Sequence, residues 1–107
     1  MRVTSQRHMD HTVVRLQGEL DALSHARIVE DIEHEVGSEP LLVVLNLQGV
    51  RFMDFAGLEA ITRISSSLAQ RGGRLVLSSP STFCRTVIER TGLDRIVPVF
   101  ATDDVAR

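Results

Sequence analysis

The sequence is defined first by the residues that it lacks or uses rarely. Its 107 residues include no lysine, tryptophan or tyrosine, four phenylalanines and one cysteine, Cys84. The absence of lysine excludes a lysine-based phosphate-binding loop and a Schiff-base mechanism. The single cysteine excludes an intramolecular disulfide and a multi-cysteine metal site and indicates a reducing compartment, and its helical spacing from later apolar residues predicts a core position. The few aromatic residues provide no platform on which nucleic-acid bases would stack.

The charge balance and the apolar content indicate a globular protein that is not adapted to nucleic acid. A net charge of −2 lacks the basic footprint with which nucleic-acid binding begins. Apolar residues at 43% and charged residues at 24% predict ordinary globular packing, and the length predicts one domain over residues 1–107. A polar N-terminus and the lack of a long apolar run predict a cytoplasmic protein without membrane insertion. Because no metal-ligand spacing, cofactor motif or nucleophile motif is present, we expect no metal, no cofactor and no enzymatic activity.

Hydrophobic periodicity predicts an α/β fold built on a mixed sheet of four to five strands. The predicted strands are Arg2–Arg7, His11–Gln17, Leu41–Leu47, Arg74–Ser78 and Ile96–Phe100. Helices are predicted over Ala22–Val36, from Asp54 to the Gly72-Gly73 stop, from Pro80-Ser81 to Gly92, and from Asp103 to Arg107. The first two strands are too close in sequence for a crossover and predict an antiparallel hairpin. Helices between the later strands predict parallel crossovers, with the helices packed on the sheet.

The stretch Leu41–Leu58 is the most informative part of the chain. Its apolar run predicts a central strand that is covered on both faces. A glycine-containing turn is predicted next, and then Asp54 where the strand gives way to a helix. In sheets with crossover helices, ligands and partners usually bind at this edge.

Several side chains near this edge have more than one possible role. Asp54 fits both a carboxylate at a partner-binding or phosphotransfer site and a helix cap, and the two roles can coexist. If the helix is capped at Ala56, Glu59 occupies the acidic position of a capping box from which a serine or threonine has been lost. Phe55 fits equally a contact with a partner and a side chain packed over the loop. Asp21 is predicted to cap the first helix.

The chain resembles the STAS domain of the anti-sigma-factor antagonist family over nearly its whole length. Five segments carry the resemblance in register: Gly18-Glu19-Leu20-Asp21, Leu41–Phe52, Asp54–Leu58, Arg71–Leu75 and Thr91–Asp94. The third of them matches the family's Asp-Ser-Ser-Gly-Leu signature. The resemblance implies a protein-binding module that docks an anti-sigma factor with serine-kinase activity and thereby frees a sigma factor for transcription.

The chain departs from the family at its regulatory switch. In the family, the kinase phosphorylates the second serine of the signature, and the added charge breaks the complex. Phe55 and Ala56 replace both serines here, and Asn46 stands where the family often has aspartate. The resemblance therefore implies a docking surface without a phosphoacceptor at Ala56. The residues expected on that surface are Asp21, Asp54, Phe55, Ala56, Gly57, Leu58 and Thr62.

Other functions stay open at the level of sequence. The chain also fits a STAS scaffold or a transporter-associated module. Asp54 could be a phosphoacceptor aspartate, as in response-regulator receivers, although such a site requires a lysine that this sequence lacks. Thr62 or Ser65 could be modified in place of the missing serine, and the sequence is compatible with a homodimer.

Overall fold

The computed structural model describes residues 1–37 and 42–104, and these residues form five strands, three α-helices and one 3-10 helix. The strands are β1 (Arg2–Arg7), β2 (His11–Leu20), β3 (Leu42–Met53), β4 (Arg74–Ser78) and β5 (Val99–Phe100). The helices are α1 (His25–Val36), α2 (Phe55–Gln70), α3 (Thr82–Thr91) and the 3-10 helix (Leu93–Arg95).

The strands form one sheet in chain order, β1-β2-β3-β4-β5. β1 and β2 are antiparallel and each later pair is parallel, which confirms the predicted hairpin and crossovers. All three crossovers advance the sheet in the same direction, so right-handed connections place the three helices on one face. The main core lies between that face and the helices, where Leu45 of β3 shares a cluster with Ile32, Ile61 and Ile88 from the three helices.

β2 and β3 both extend beyond their predicted ends, to Leu20 and Met53. Their parallel pairing continues along these extensions through two irregularities in register. A Cβ atom on Gly49 would stand 2.6 Å from Gln17 Cγ and 2.8 Å from the Leu16 carbonyl oxygen. The turn predicted at this glycine is therefore wrong. Gly49 instead permits the close approach of two strands beside a bulge.

Other element boundaries also differ from the sequence prediction. α1 begins at His25 rather than Ala22, and β5 contains only Val99 and Phe100 because a 3-10 helix precedes it. The chain is not helical at Asp103 and Asp104, and residues 105–107 of the predicted last helix lie outside the described residues, as does Leu41.

The third helix follows its sequence signals closely. Ser81 caps it by accepting a hydrogen bond from the Cys84 backbone N–H at 3.2 Å, and Gly92 ends it in the left-handed conformation at a φ of 80°. Cys84 is buried, as predicted, with its Sγ 3.6 Å from the Val50 carbonyl oxygen. Burial raises the pKa of the Cys84 thiol, so the group stays protonated and unreactive near neutral pH.

Candidate docking surface at the start of α2

Asp54 caps α2 and shapes the junction between β3 and that helix. Its Oδ1 accepts hydrogen bonds from the backbone N–H groups of Ala56 at 2.9 Å and Gly57 at 3.2 Å. These are two of the donors that the first helical turn leaves without an intrahelical partner. The predicted capping role of Asp54 is confirmed. Ala56 lies inside the helix, two residues after the cap, so the interpretation of a capping box at Ala56 and Glu59 is wrong.

Gly57 lets the start of α2 lie directly against the end of β2. A Cβ atom there would stand 2.3 Å from the Leu20 carbonyl oxygen and 2.8 Å from Leu20 Cβ. The same carbonyl accepts a hydrogen bond from the Asp54 backbone N–H at 3.1 Å. The end of β2 and the cap of α2 are therefore joined by a hydrogen bond, and only glycine fits between them.

Asp21 follows Leu20 and therefore lies close in the chain to this junction, but it does not cap α1. Its Oδ1 accepts hydrogen bonds from the Ser24 backbone N–H at 3.1 Å and from Ser24 Oγ at 3.0 Å. These bonds close a turn over residues 21–24. Helix α1 starts directly after this turn, with Ser24 at its N-cap position. The predicted cap is wrong because the carboxylate is committed to the turn. Leu23 in this turn is 97% exposed.

The expected contact residues on α2 divide into exposed and supporting groups. Phe55 is 84% exposed at the first helical position, and Thr62 is exposed two turns later. Ala56 is half-buried, whereas Gly57 and Leu58 are buried and can only support the surface from below. Of the two positions predicted for Phe55, the structure shows the exposed one.

A shallow groove of about 300 Å³ opens beside Phe55. It is lined by Phe55, Leu58, Glu59 and Thr62 of α2 and by Thr91, Leu93 and Ile96 from the end of α3 and the 3-10 helix. Sequence reasoning missed Leu93 and Ile96, and it placed Ile96 in a strand. The available signal was the pair of apolar residues three positions apart directly after the helix stop at Gly92.

Glu59 is the charged member of this groove. Its Oε1 lies 3.0 Å from Nε2 of His25, at the start of α1, and its side chain is 70% exposed. The two atoms are close enough for an ion pair if His25 is protonated, but their alignment does not form a hydrogen bond. One carboxylate oxygen of Glu59 therefore lies beside His25, while most of the Glu59 side chain is exposed.

Asn46 lies on the opposite face of the sheet, away from the candidate docking surface. It is buried, and its Nδ2 donates a hydrogen bond to Asp103 Oδ1 at 2.8 Å. Ser78 Oγ donates to the same oxygen, and Arg15 forms an ion pair with Asp103 Oδ2 at 2.9 Å. The Asn46 amide therefore donates to the Asp103 carboxylate, whereas an aspartate at position 46 would repel that carboxylate.

Two further properties concern the described residues as a whole. Across residues 1–37 and 42–104, no three His, Cys, Asp or Glu side chains gather where they could hold a metal ion. Within the same residues, no helix combines the length and apolar character needed to span a bilayer.

Comparison with known proteins identifies the family. A model of the STAS domain matches residues 2–106, so the chain belongs to the STAS domain family. It is 31% identical over 94 residues to an anti-sigma-B factor antagonist of Listeria monocytogenes, covering 88% of this chain and 82% of that protein. The crystal structure of an anti-sigma factor antagonist from Mycobacterium paratuberculosis superposes with a TM-score of 0.83 at 26% identity, over 96% of this chain and 87% of that one.

The same fold also occurs inside a membrane transporter. The murine anion transporter solute carrier 26 family member A9 matches 91% of this chain with a TM-score of 0.80, at 18% identity and over 17% of its own length. At that identity the likeness shows the fold alone.

Proposed function

We propose that this chain is a cytoplasmic anti-sigma-factor antagonist. In this proposal it docks an anti-sigma factor of the serine-kinase type through the start of α2 and so regulates sigma-factor-dependent transcription. The similarity to an anti-sigma-B factor antagonist supports the general role. The observation that carries the docking site is the exposure of Phe55, at 84%, directly after a rigidly capped junction. Large aromatic side chains held on a rigid element are typical anchors of protein interfaces.

The contacts around Asp54 determine which part of the surface a partner can use. Asp54 Oδ1 is committed to the helix cap. In the proposed complex, Phe55 provides the apolar contact area and the Asp54 carboxylate contributes its negative charge. Ala56 has no hydroxyl to accept phosphate. The proposed complex is therefore not broken by phosphorylation at that position.

The test is a calorimetric titration of the purified chain with each serine-kinase anti-sigma factor of the source organism. We expect one of them to bind, and Phe55→Ala to weaken that binding at least about tenfold, because the anchor is lost while the cap stays. Asp54→Asn retains an acceptor oxygen for the cap and reports the contribution of charge alone.

Phe100→Ala is the matched control, because it removes a partly exposed phenylalanine from β5 without touching α2. Absence of binding to every such anti-sigma factor would overturn the proposed role. Equal affinities of Phe55→Ala and the unmodified chain would overturn the proposed surface.

A further inference from the structure

The groove between α2 and the 3-10 helix has an apolar floor and an apolar rim. Leu58 and Leu93 are buried and form the floor, while Phe55 and Ile96 are exposed and stand at the rim. Ile96 is 63% exposed, although the chain could have placed a polar residue there at no cost to the core. Two large apolar side chains that flank a concave apolar surface are typical of a binding site for another protein.

The side chains that line the groove offer no free hydrogen-bond donor. Thr62 Oγ1 donates to the Leu58 carbonyl at 2.9 Å, and Thr91 Oγ1 donates to the Val87 carbonyl at 2.7 Å. The backbone N–H groups of α2 beyond its first turn are bonded within the helix. An extended peptide in this groove would therefore find few donors for its own backbone carbonyl groups, and a polar group that is buried without a partner weakens a complex.

A helix meets this requirement because its backbone groups are satisfied internally and it presents only side chains. The charge of the groove adds a second requirement. Glu59 is the charged residue among those that line it, and its side chain is 70% exposed. A cationic side chain one helical turn from the apolar anchor would lie opposite Glu59.

We infer that this groove binds an amphipathic helix of the partner protein, which inserts a large apolar side chain and places a lysine or arginine three or four positions away against Glu59. The inference rests on the proposed function for the identity of the partner. It extends the interface from the loop at Asp54 to Leu93 and Ile96, on a different element of the chain.

The experiment uses helical peptides, so it does not depend on finding the natural partner. A displayed library of amphipathic helices, randomised on one face, is selected on the unmodified chain. We expect the selected peptides to share an apolar residue with a basic residue three or four positions away. Ile96→Asp should weaken them at least about tenfold. Glu59→Gln should remove the preference for the basic residue and keep the apolar one.

Met9→Asp is the matched control, since Met9 is an exposed apolar residue in the hairpin turn between β1 and β2. Thr62→Arg obstructs the groove from α2 and provides a second test if Ile96→Asp lowers the melting temperature. Selection of no peptides, or of peptides that bind the unmodified chain and both groove variants equally, would overturn the inference. If peptides bind but no anti-sigma factor does, the groove inference stands and the proposed function is refuted. If an anti-sigma factor binds but no peptide does, the proposed function stands and the groove inference is refuted.

Discussion

Ala56 is the residue at which this chain differs most consequentially from the family signature that it resembles. Its backbone N–H donates to Asp54, and its side chain is half-buried on the first turn of α2. A serine at this position would add one oxygen without disturbing the cap. Under the proposed function, the chain lacks a phosphoacceptor at this position because Ala56 lacks one hydroxyl group.

Ala56→Ser should restore the switch. We expect the anti-sigma factor that binds this chain, supplied with ATP and magnesium, to add one phosphate to the variant and none to the unmodified protein, as measured by intact mass. The phosphate carries a charge of about −1.5 to −2 and would weaken docking beside Asp54. It would not unfold α2, because a negative charge near a helix N-terminus is stabilising.

Peptide mapping supplies the control for this prediction. Phosphate on Thr62 or Ser65 of the unmodified chain would mean that a different switch has replaced the lost one. A variant that stays unmodified while still binding the kinase would show that position 56 does not reach the kinase active site.

At the scale of elements, the junction of β2 with α2 determines the position of the proposed docking surface. Gly57→Ala tests it. Replacement of glycine by alanine usually stabilises a helix by about 0.5–1 kcal/mol, but here the new Cβ would stand 2.3 Å from the Leu20 carbonyl oxygen. We expect a net destabilisation of about 1–3 kcal/mol, measured by urea unfolding, because α2 must move away from β2.

Ser66→Ala is the comparison for this variant, since it raises helix propensity at an exposed position of the same helix. It should not lower stability. If Gly57→Ala proved as stable as the unmodified chain, the close packing of α2 on the Leu20 carbonyl would not limit the position of the helix.

The sequence predicts the type and order of these elements well, because apolar periodicity and helix caps are local signals. A short polar residue before a helical pattern predicts both the cap at Asp54 and the start of the third helix at Pro80-Ser81. Gly49 was misinterpreted because a glycine in a turn and a glycine at a strand bulge look the same without the neighbouring strand. The prediction that Asp21 caps α1 is wrong for a related reason. Its carboxylate bonds Ser24 in a turn, and residue type alone does not distinguish such a turn from a helix cap.

The candidate site is less predictable than the fold. Phe55 and Asp54 lie in one segment, and the sequence prediction named both as expected contact residues. Leu93 and Ile96 come from a distant segment and reach the groove only because the crossover through α3 returns the chain beside α2. No periodic pattern reports a contact of that kind.

At the scale of the whole molecule, Asp103 links three strands on the face opposite the helices. It accepts hydrogen bonds from Asn46 of β3 and Ser78 of β4, both buried, and pairs with Arg15 of β2. Asp103→Ala should lower the free energy of unfolding by about 1–3 kcal/mol for each buried group left unsatisfied. Thermal and urea unfolding would measure this loss.

Asp103→Asn distinguishes hydrogen bonding from charge. It keeps an acceptor oxygen for Asn46 and Ser78 and removes the ion pair with Arg15, whose side chain is 45% exposed. Such a pair contributes only about 0–1 kcal/mol, so this variant should be nearly as stable as the unmodified chain. Equal and large losses for both variants would assign the stabilisation to the charge of Asp103 instead.

The sequential order of the sheet has a consequence for how the chain acquires its structure. Each strand pairs with the strand that precedes it along the chain, so the sheet can grow by adding one strand at a time. Each addition after the hairpin closes one crossover that contains a helix, and the entropy lost on loop closure rises only slowly with loop length. The longest pairing, between β2 and β3, is complete once residue 53 is available. The strand pairing of the N-terminal half therefore requires no residue from the second half of the chain.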